Sequence, residues 1–316
     1  MSRWLAVVAL AISASAPAHA DEGFFHRIAR ELHDQLAASS TTGTPKPIDV
    51  RWRATRVGSL TLDAPLVAMA AADLDGDGKA ELYAVTTRDV IAIAVASSGR
   101  LRELGRVAFA GDPAVPQPRD PIGAAVVDRG VLVASSSSWA HGLRVSWQKG
   151  ALHADPGDSD FLLCPTEHAQ LAPGRNYFGE GAVAYYGVQC ADLPDLNGNV
   201  QHVRAQLSVS GRLDVAIAGG LRSTYVNVGV AFALGDVDRD GTPEVVFAGA
   251  GAPGDTDYVE VVTLGTDEKK PRLKKKFVAA GVAAIAVGDV DGDRAPDAIV
   301  AVRLVGGTVV DFWRLD

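Results

Sequence analysis

Beyond residue 48 the chain is built from short apolar runs bounded by turn residues, of which Leu66-Val67-Ala68-Met69 and Glu244-Val245-Val246-Phe247 are typical. Runs this short suit buried strands and are too short for core helices. The N-terminal part has a different period. Phe25, Ile28, Leu32 and Leu36 recur at spacings of three and four, with His26, Arg30, Glu31 and Asp34 off that stripe. This predicts an amphipathic helix over 21–38. The next stretch, 39–48, runs Ser39-Ser40-Thr41-Thr42-Gly43-Thr44-Pro45-Lys46-Pro47 and reads as a linker. The expectation for 49–316 is one all-β domain.

An internal repeat organises that domain. Asp73-Leu74-Asp75-Gly76-Asp77-Gly78-Lys79-Ala80-Glu81, Asp236-Val237-Asp238-Arg239-Asp240-Gly241-Thr242-Pro243-Glu244 and Asp289-Val290-Asp291-Gly292-Asp293-Arg294-Ala295-Pro296-Asp297 align without gaps, each between two apolar runs. The last two start 53 residues apart and the first two 163, close to three such periods. Two degenerate copies are therefore expected in between. Gly123-Ala124-Ala125-Val126-Val127-Asp128, followed by an Arg129-Gly130 turn, and Gly181-Ala182-Val183-Ala184-Tyr185-Tyr186 are the candidates. Five units of about 54 residues then fill the domain.

One complete unit parses into four strands: Ala231 to Gly235, Glu244 to Ala248, Tyr258 to Leu264 and Arg272 to Val278. Four antiparallel strands per repeat make a propeller blade. The last unit has about three strands, ending in Thr308 to Leu315, and Val50-Arg51-Trp52-Arg53-Ala54-Thr55 is expected to supply the fourth and close the ring. A sandwich or solenoid of the same repeats is the alternative architecture.

Carboxylates at positions 1, 3, 5 and 9 of a tight loop suit a hard, oxygen-seeking cation, because Ca²⁺ takes six to eight oxygens at about 2.3–2.6 Å. The twelve candidate ligands are Asp73, Asp75, Asp77 and Glu81, then Asp236, Asp238, Asp240 and Glu244, then Asp289, Asp291, Asp293 and Asp297. An EF-hand is excluded, since that loop has about twelve residues between helices. Here the loops join apolar strands. The pattern resembles the FG-GAP/VCBS repeat family, which includes the propeller of integrin α subunits and in which a D-x-D-x-D-G-x-x-D loop joins two strands of a blade. Gly251-Ala252-Pro253 is similar to that family's G-A-P element. The resemblance implies a calcium-binding propeller with two to three Ca²⁺ ions and structural sites. Arg294 departs from the pattern by replacing the turn glycine of the third loop.

The first twenty residues change the expected location. Arg3 gives a positive start, Trp4 to Ala14 an apolar core, and Ala18-His19-Ala20 a small-residue cleavage site. These are the parts of a secretory signal cleaved after Ala20. The apolar stretch falls short of the ~20 residues that span a bilayer, so no transmembrane segment is expected. A periplasmic or secreted protein follows. The formal net charge is −8, and an acidic chain is a poor general partner for nucleic acid. Cys164 and Cys190 either close a disulfide in an oxidising compartment or remain two buried thiols.

Other features carry weaker signals. Lys269-Lys270-Pro271-Arg272-Leu273-Lys274-Lys275-Lys276 reads as a lysine-protected edge strand, or else as a contact for an anionic surface. Ser135-Ser136-Ser137-Ser138 with His141 lacks the G-x-S-x-G elbow of a hydrolase and reads as a polar strand end. Trp52, Trp139, Trp147 and Trp313 either pack between blades or line a sugar-binding surface. The expected role is a binding, adhesion or scaffold module for a protein or glycan partner. The alternatives are a periplasmic propeller enzyme, a lyase or hydrolase with its site in the central channel, and a passenger carried by an N-terminal helix docked on a membrane-associated assembly.

Overall fold

The strands predicted by the apolar runs are present, and they hydrogen-bond in groups of four. The computed structural model describes residues 47–48, 50–96, 100–115, 117–118, 121–165, 167–169, 185–250, 256–266, 271–277, 280–304 and 307–315. The signal segment 1–20, the helix expected over 21–38, most of the linker and Gly251-Ala252-Pro253 lie outside these residues. Among the described residues all regular structure is β, and no helix is long and apolar enough to cross a membrane.

β1 (Ala54–Thr61) precedes the first blade, which is β2 (Leu66–Ala72), β3 (Glu81–Thr86), β4 (Asp89–Val95) and β5 (Leu101–Ala108). The second blade is β6 (Gly123–Asp128), β7 (Val131–Ser136), β8 (Leu143–Gln148) and β9 (Ala151–Pro156). A two-stranded hairpin follows, β10 (Phe161–Cys164) and β11 (Glu167–Ala169). The third blade is β12 (Tyr185–Pro194), β13 (Val200–Ser208), β14 (Leu213–Ile217) and β15 (Arg222–Tyr225). The fourth is β16 (Val228–Gly235), β17 (Glu244–Gly249), β18 (Asp257–Thr263) and β19 (Leu273–Phe277). The fifth runs β20 (Ala280–Gly288), β21 (Asp297–Leu304), β22 (Val309–Leu315) and then β1. All pairs are antiparallel. The fold is a five-bladed β-propeller.

The ring closes through β1, as a returning N-terminal strand predicts, but with residues further along the chain than the expected Val50 to Thr55. Ala54 lies opposite Leu315 and Thr61 opposite Val309. Arg56 chooses this register. Its guanidinium donates to Asp311 from Nε and Nη2, both at 2.9 Å, and Ser59 Oγ donates to the same carboxylate at 2.7 Å. The hydrogen bonds from Arg56 hold the Asp311 carboxyl below its ordinary range.

Apolar layers fill the spaces between neighbouring blades. Leu82, Ile91, Ile93, Ile299 and Phe312 pack between the first and fifth blades, and Val246, Val259, Val261 and Val300 between the fourth and fifth. The innermost strands approach closely enough to require glycine. A Cβ on Gly235 would lie 2.5 Å from Val287 Cγ1, and one on Gly288 would lie 2.7 Å from Ala71 Cβ. Both glycines end an inner strand immediately before an acidic loop.

The seam between the second and third blades is built differently. There β10 packs on β6 and β7 on one side and on β12 on the other. Its layer of Phe161, Leu163, Cys164 and Val188 is small among the described residues. Cys164 and Cys190 are disulfide-bonded and tie β10 to β12. Glu167 accepts from Arg204 Nε at 3.0 Å and Nη2 at 2.8 Å, a second tie to the third blade. The tryptophans pack. Trp139 stacks on Phe109 at 4.8 Å, Trp147 Nε1 donates to Tyr83 Oη of the first blade at 2.7 Å, and Trp313 meets Phe277 of the fourth at 5.5 Å.

Candidate metal centres

Each acidic repeat joins the first strand of a blade to the second. Position 1 follows the last residue of β2, β16 or β20, and position 9 is the first residue of β3, β17 or β21. Three loops therefore present their carboxylates from equivalent places on the first, fourth and fifth blades.

The backbone of the three loops is the same. Positions 4 and 6 take positive φ in each: Gly76 at 81° and Gly78 at 90°, Arg239 at 55° and Gly241 at 80°, Gly292 at 83° and Arg294 at 70°. Arg294 thus adopts the conformation that glycine takes at position 6 of the other two loops. The amides freed by this path point at the carboxylates. Asp73 accepts from the amides of Gly76 and Gly78 at 2.7 and 2.9 Å, and Asp289 from those of Gly292 and Arg294, both at 2.8 Å. Position 3 accepts from the amide of position 5, and position 5 from that of position 7, in all three loops. Position 9 closes the loop: the amides of Leu74 and Val237 donate to Glu81 and Glu244 at 3.3 and 2.9 Å.

With one side of each carboxylate held by backbone, other oxygens converge. Asp73, Asp75, Asp77 and Glu81 offer oxygens within 4.8 Å of one another, as do Asp236, Asp238 and Glu244, and Asp289, Asp291 and Asp297. Asp240 and Asp293 are not brought into these groups. Two oxygens bound to one calcium lie at most about 4.6–5.2 Å apart, so the groups match its reach. In the fourth blade Asp236 is only 7% exposed, and its Oδ1 has no hydrogen-bond partner. In the fifth blade the same holds for Asp297 Oδ2, in a residue 6% exposed. Buried oxygens without partners are costly. The donor set, all carboxylate oxygen, fits a hard divalent cation.

Electrostatics agree with that fit. Burial first, and then the neighbouring carboxylates, push Glu244 up to about 8 and Glu81 up to about 7. Asp236 rises to about 6 for the same reasons. Asp297 rises to about 7 through burial, against the lowering influence of Arg314. Burial also raises Asp75 and Asp238. A divalent cation among these oxygens favours the charged carboxylates and reverses each of these directions.

Cations of the chain itself stand near two of the groups. Arg272 Nη2 lies 3.8 Å from Asp238 and 3.9 Å from Asp240. Arg314 Nη1 lies 2.6 Å from Asp291 Oδ2 and its Nε 3.7 Å from Asp297 Oδ1. Sequence reasoning did not find Arg314, because nothing in its local sequence marks it. The third blade also has a loop at the equivalent place, Asp195-Leu196-Asn197-Gly198-Asn199, beyond the Gly181 to Tyr186 run that was expected to mark the unit. Asp195 there accepts from the amides of Asn197 and Asn199, both at 2.8 Å, in a hairpin too short for a position 9. The second blade turns at Arg129-Gly130, as expected, with φ of 48° and 74°.

Two lysines of the basic run, Lys274 and Lys275, are engaged on the fourth blade's outer strand. Lys274 pairs with Glu260 and lies 4.2 Å from the Tyr258 ring, and Lys275 lies 5.0 Å from the Trp313 ring. Ser136, Ser137 and Ser138 are buried where β7 ends, and Ser137 Oγ accepts from the Ile122 amide at 2.9 Å.

No protein-family model matches the chain, and no curated protein does. Solved structures do resemble it. The crystal structure of BBS1N in complex with ARL6DN, soaked with lead, is similar at 10% identity over 85% of this chain and 98% of that one, with a TM-score of 0.42. S. cerevisiae core factor is similar at 10% identity over 81% of this chain and 48% of that one, with a TM-score of 0.36.

Proposed function

We propose that the chain is an exported, calcium-stabilised β-propeller of the FG-GAP/VCBS type, acting as a binding, adhesion or scaffold module for a protein or glycan partner. The observation that carries the ion is Asp236 Oδ1, a buried carboxylate oxygen without a partner, set among Asp238 and Glu244. The loops are fixed by backbone hydrogen bonds and strand ends, so a bound ion stiffens the connection between the inner strand of a blade and the next. Sensor loops, in contrast, move helices when they bind. Export is supported by Arg3, the apolar run after it and Ala18-His19-Ala20, and by the Cys164–Cys190 bridge, since such bonds persist in oxidising compartments.

The test is thermal unfolding in about 1 mM calcium and in chelator. A site a hundredfold above its Kd adds about 2.7 kcal/mol, or roughly 5–10 °C for a chain of this size. An unchanged midpoint removes the calcium claim. For the partner, capture from the envelope or medium is run with calcium and again with chelator. A partner retained only with calcium supports the module reading, and equal retention separates binding from the ion.

A further inference from the structure

The fifth blade differs from the other two acidic blades in one residue of its third strand. Ile299 lies two residues beyond Asp297, on the same face of β21, and Arg314 of β22 is directly opposite it. The register-equivalent residue is Ala92 in the first blade, opposite Tyr83, and Val261 in the fourth, opposite Val246. Both are fully buried small aliphatic side chains. Only the fifth blade places a guanidinium at this position. From there its Nη1 reaches 2.6 Å to Asp291 Oδ2 and its Nε 3.7 Å to Asp297 Oδ1, on two of the three carboxylates that close on each other in that loop, and places a positive charge beside Asp297, whose Oδ2 has no hydrogen-bond partner. The nearest cation in the fourth blade, Arg272, enters from the strand connection and stays 3.8 Å from Asp238. The ion-pair contacts of the first loop include no arginine or lysine among the described residues.

We propose that Arg314 is the resident cation of the fifth blade's loop, so that the protein binds two calcium ions, in the first and fourth blades, and holds the fifth shut without one. This rests on the calcium reading above. A guanidinium offers fixed donors to paired carboxylates and cannot be deprotonated. It is tethered by β22, which also carries Asp311, the partner of Arg56 in ring closure. The blade that closes the ring is thereby independent of the ion supply.

The experiment counts ions by equilibrium dialysis of the full chain against calcium, followed by elemental analysis. Two ions per chain are expected for the parent and three for Arg314→Met. Asp291→Asn, which keeps the side-chain volume, is expected to leave the parent's two ions unchanged, whereas Asp238→Asn drops the count to one. Three ions in the parent, or one ion in Asp291→Asn, overturns the proposal and leaves the calcium reading standing. Zero ions in the parent overturns both. If Arg314→Met does not fold, the Asp291→Asn and Asp238→Asn pair still decides.

Discussion

Without a bound cation, the fourth blade's loop has a proton-dependent stability of calculable sign. Glu244 is fully buried, and burial pushes its carboxyl from 4.5 to about 8. In the unfolded chain the same group has its ordinary value. Between these two pH values the folded chain holds a proton that the unfolded chain has released, so stability falls as pH rises through the window. The stability is fully present below about 4.5 and lost by about 8. One pKa unit corresponds to about 1.36 kcal/mol, which gives on the order of 4–5 kcal/mol for Glu244 alone, about 3 of it above pH 5.5. The buried carboxyls of Glu81, Asp236 and Asp297 act in the same direction. Asp311 and Asp214, whose carboxyls are lowered, titrate beneath this window.

The assay is thermal unfolding in chelator at about pH 5.5 and about pH 8.5. The expected midpoint is roughly 6–12 °C lower at the higher pH. Glu244→Gln keeps an acceptor for the Val237 amide, and its midpoint is expected to depend less on pH than the parent's. With calcium the trend reverses, because ion and proton compete for the same oxygens, and the gain from calcium grows with pH. A midpoint in chelator that is level or rises between these pH values refutes the reasoning. So does a Glu244→Gln variant with the full slope of the parent.

Arg294→Gly is expected to raise stability by up to about 1 kcal/mol, because an L side chain in the left-handed region carries a cost that glycine does not; denaturant unfolding checks the sign. Replacing Cys164 and Cys190 with serine opens a crosslink between residues 26 apart in sequence and is expected to cost about 3 kcal/mol. Hydrogen exchange is expected to quicken first in β10 and β12, and uniform quickening around the ring contradicts the seam described above. Tyr83→Phe breaks a relay in which Trp147 Nε1 donates to Tyr83 Oη and Tyr83 donates to Glu81 Oε2 at 2.9 Å. The expected loss is about 1–3 kcal/mol, with a changed Trp147 emission as its local signature.

The acidic repeats made much of this fold legible, because they mark strand ends as well as ligands. The Asp at position 1 follows an inner strand and the acid at position 9 opens the next, so the fourth blade appears within three residues of its expected boundaries at every strand end. Where the acids are missing the reading weakened. The third blade was placed early because its inner strand runs on to Pro194 and its turn is only Asp195 to Asn199. The β10–β11 hairpin was not expected, since four apolar residues and a three-residue partner do not make a repeat. The closing strand began at Ala54 rather than Val50 because the Arg56–Asp311 pair fixes its register across 255 residues of sequence. Arg314 was hidden for the same reason, as its role is set by the strand opposite and not by its neighbours in the chain. Of the twelve predicted ligands, Asp240 and Asp293 share the repeat but not the close grouping, a distinction in side-chain direction that the alignment cannot carry.

The loops also explain why an ion held between the inner two strands of a blade would matter to the whole ring. The Ala80 amide of the first loop donates to the Asp289 carbonyl of the fifth at 2.7 Å, and a Cβ on Gly292 would meet the Lys79 side chain. Gln201 of the third blade donates to the Gly241 carbonyl of the fourth loop at 2.8 Å, and the Ile48 amide to the Asp238 carbonyl at 2.8 Å. Glu81 reaches the second blade through Tyr83 and Trp147. Stiffening the first and fourth loops therefore stiffens contacts between blades, since the Ala80 amide and the Gly241 carbonyl make these cross-seam bonds from within the loops. The second-to-third seam has no close-set carboxylate group among the described residues. It is the seam that carries the Cys164–Cys190 bridge and the Glu167–Arg204 pair. The ring is thus cross-linked in different ways, covalently at β10, ionically within the chain at Arg314 and, in the reading proposed above, by a cation at the first and fourth loops.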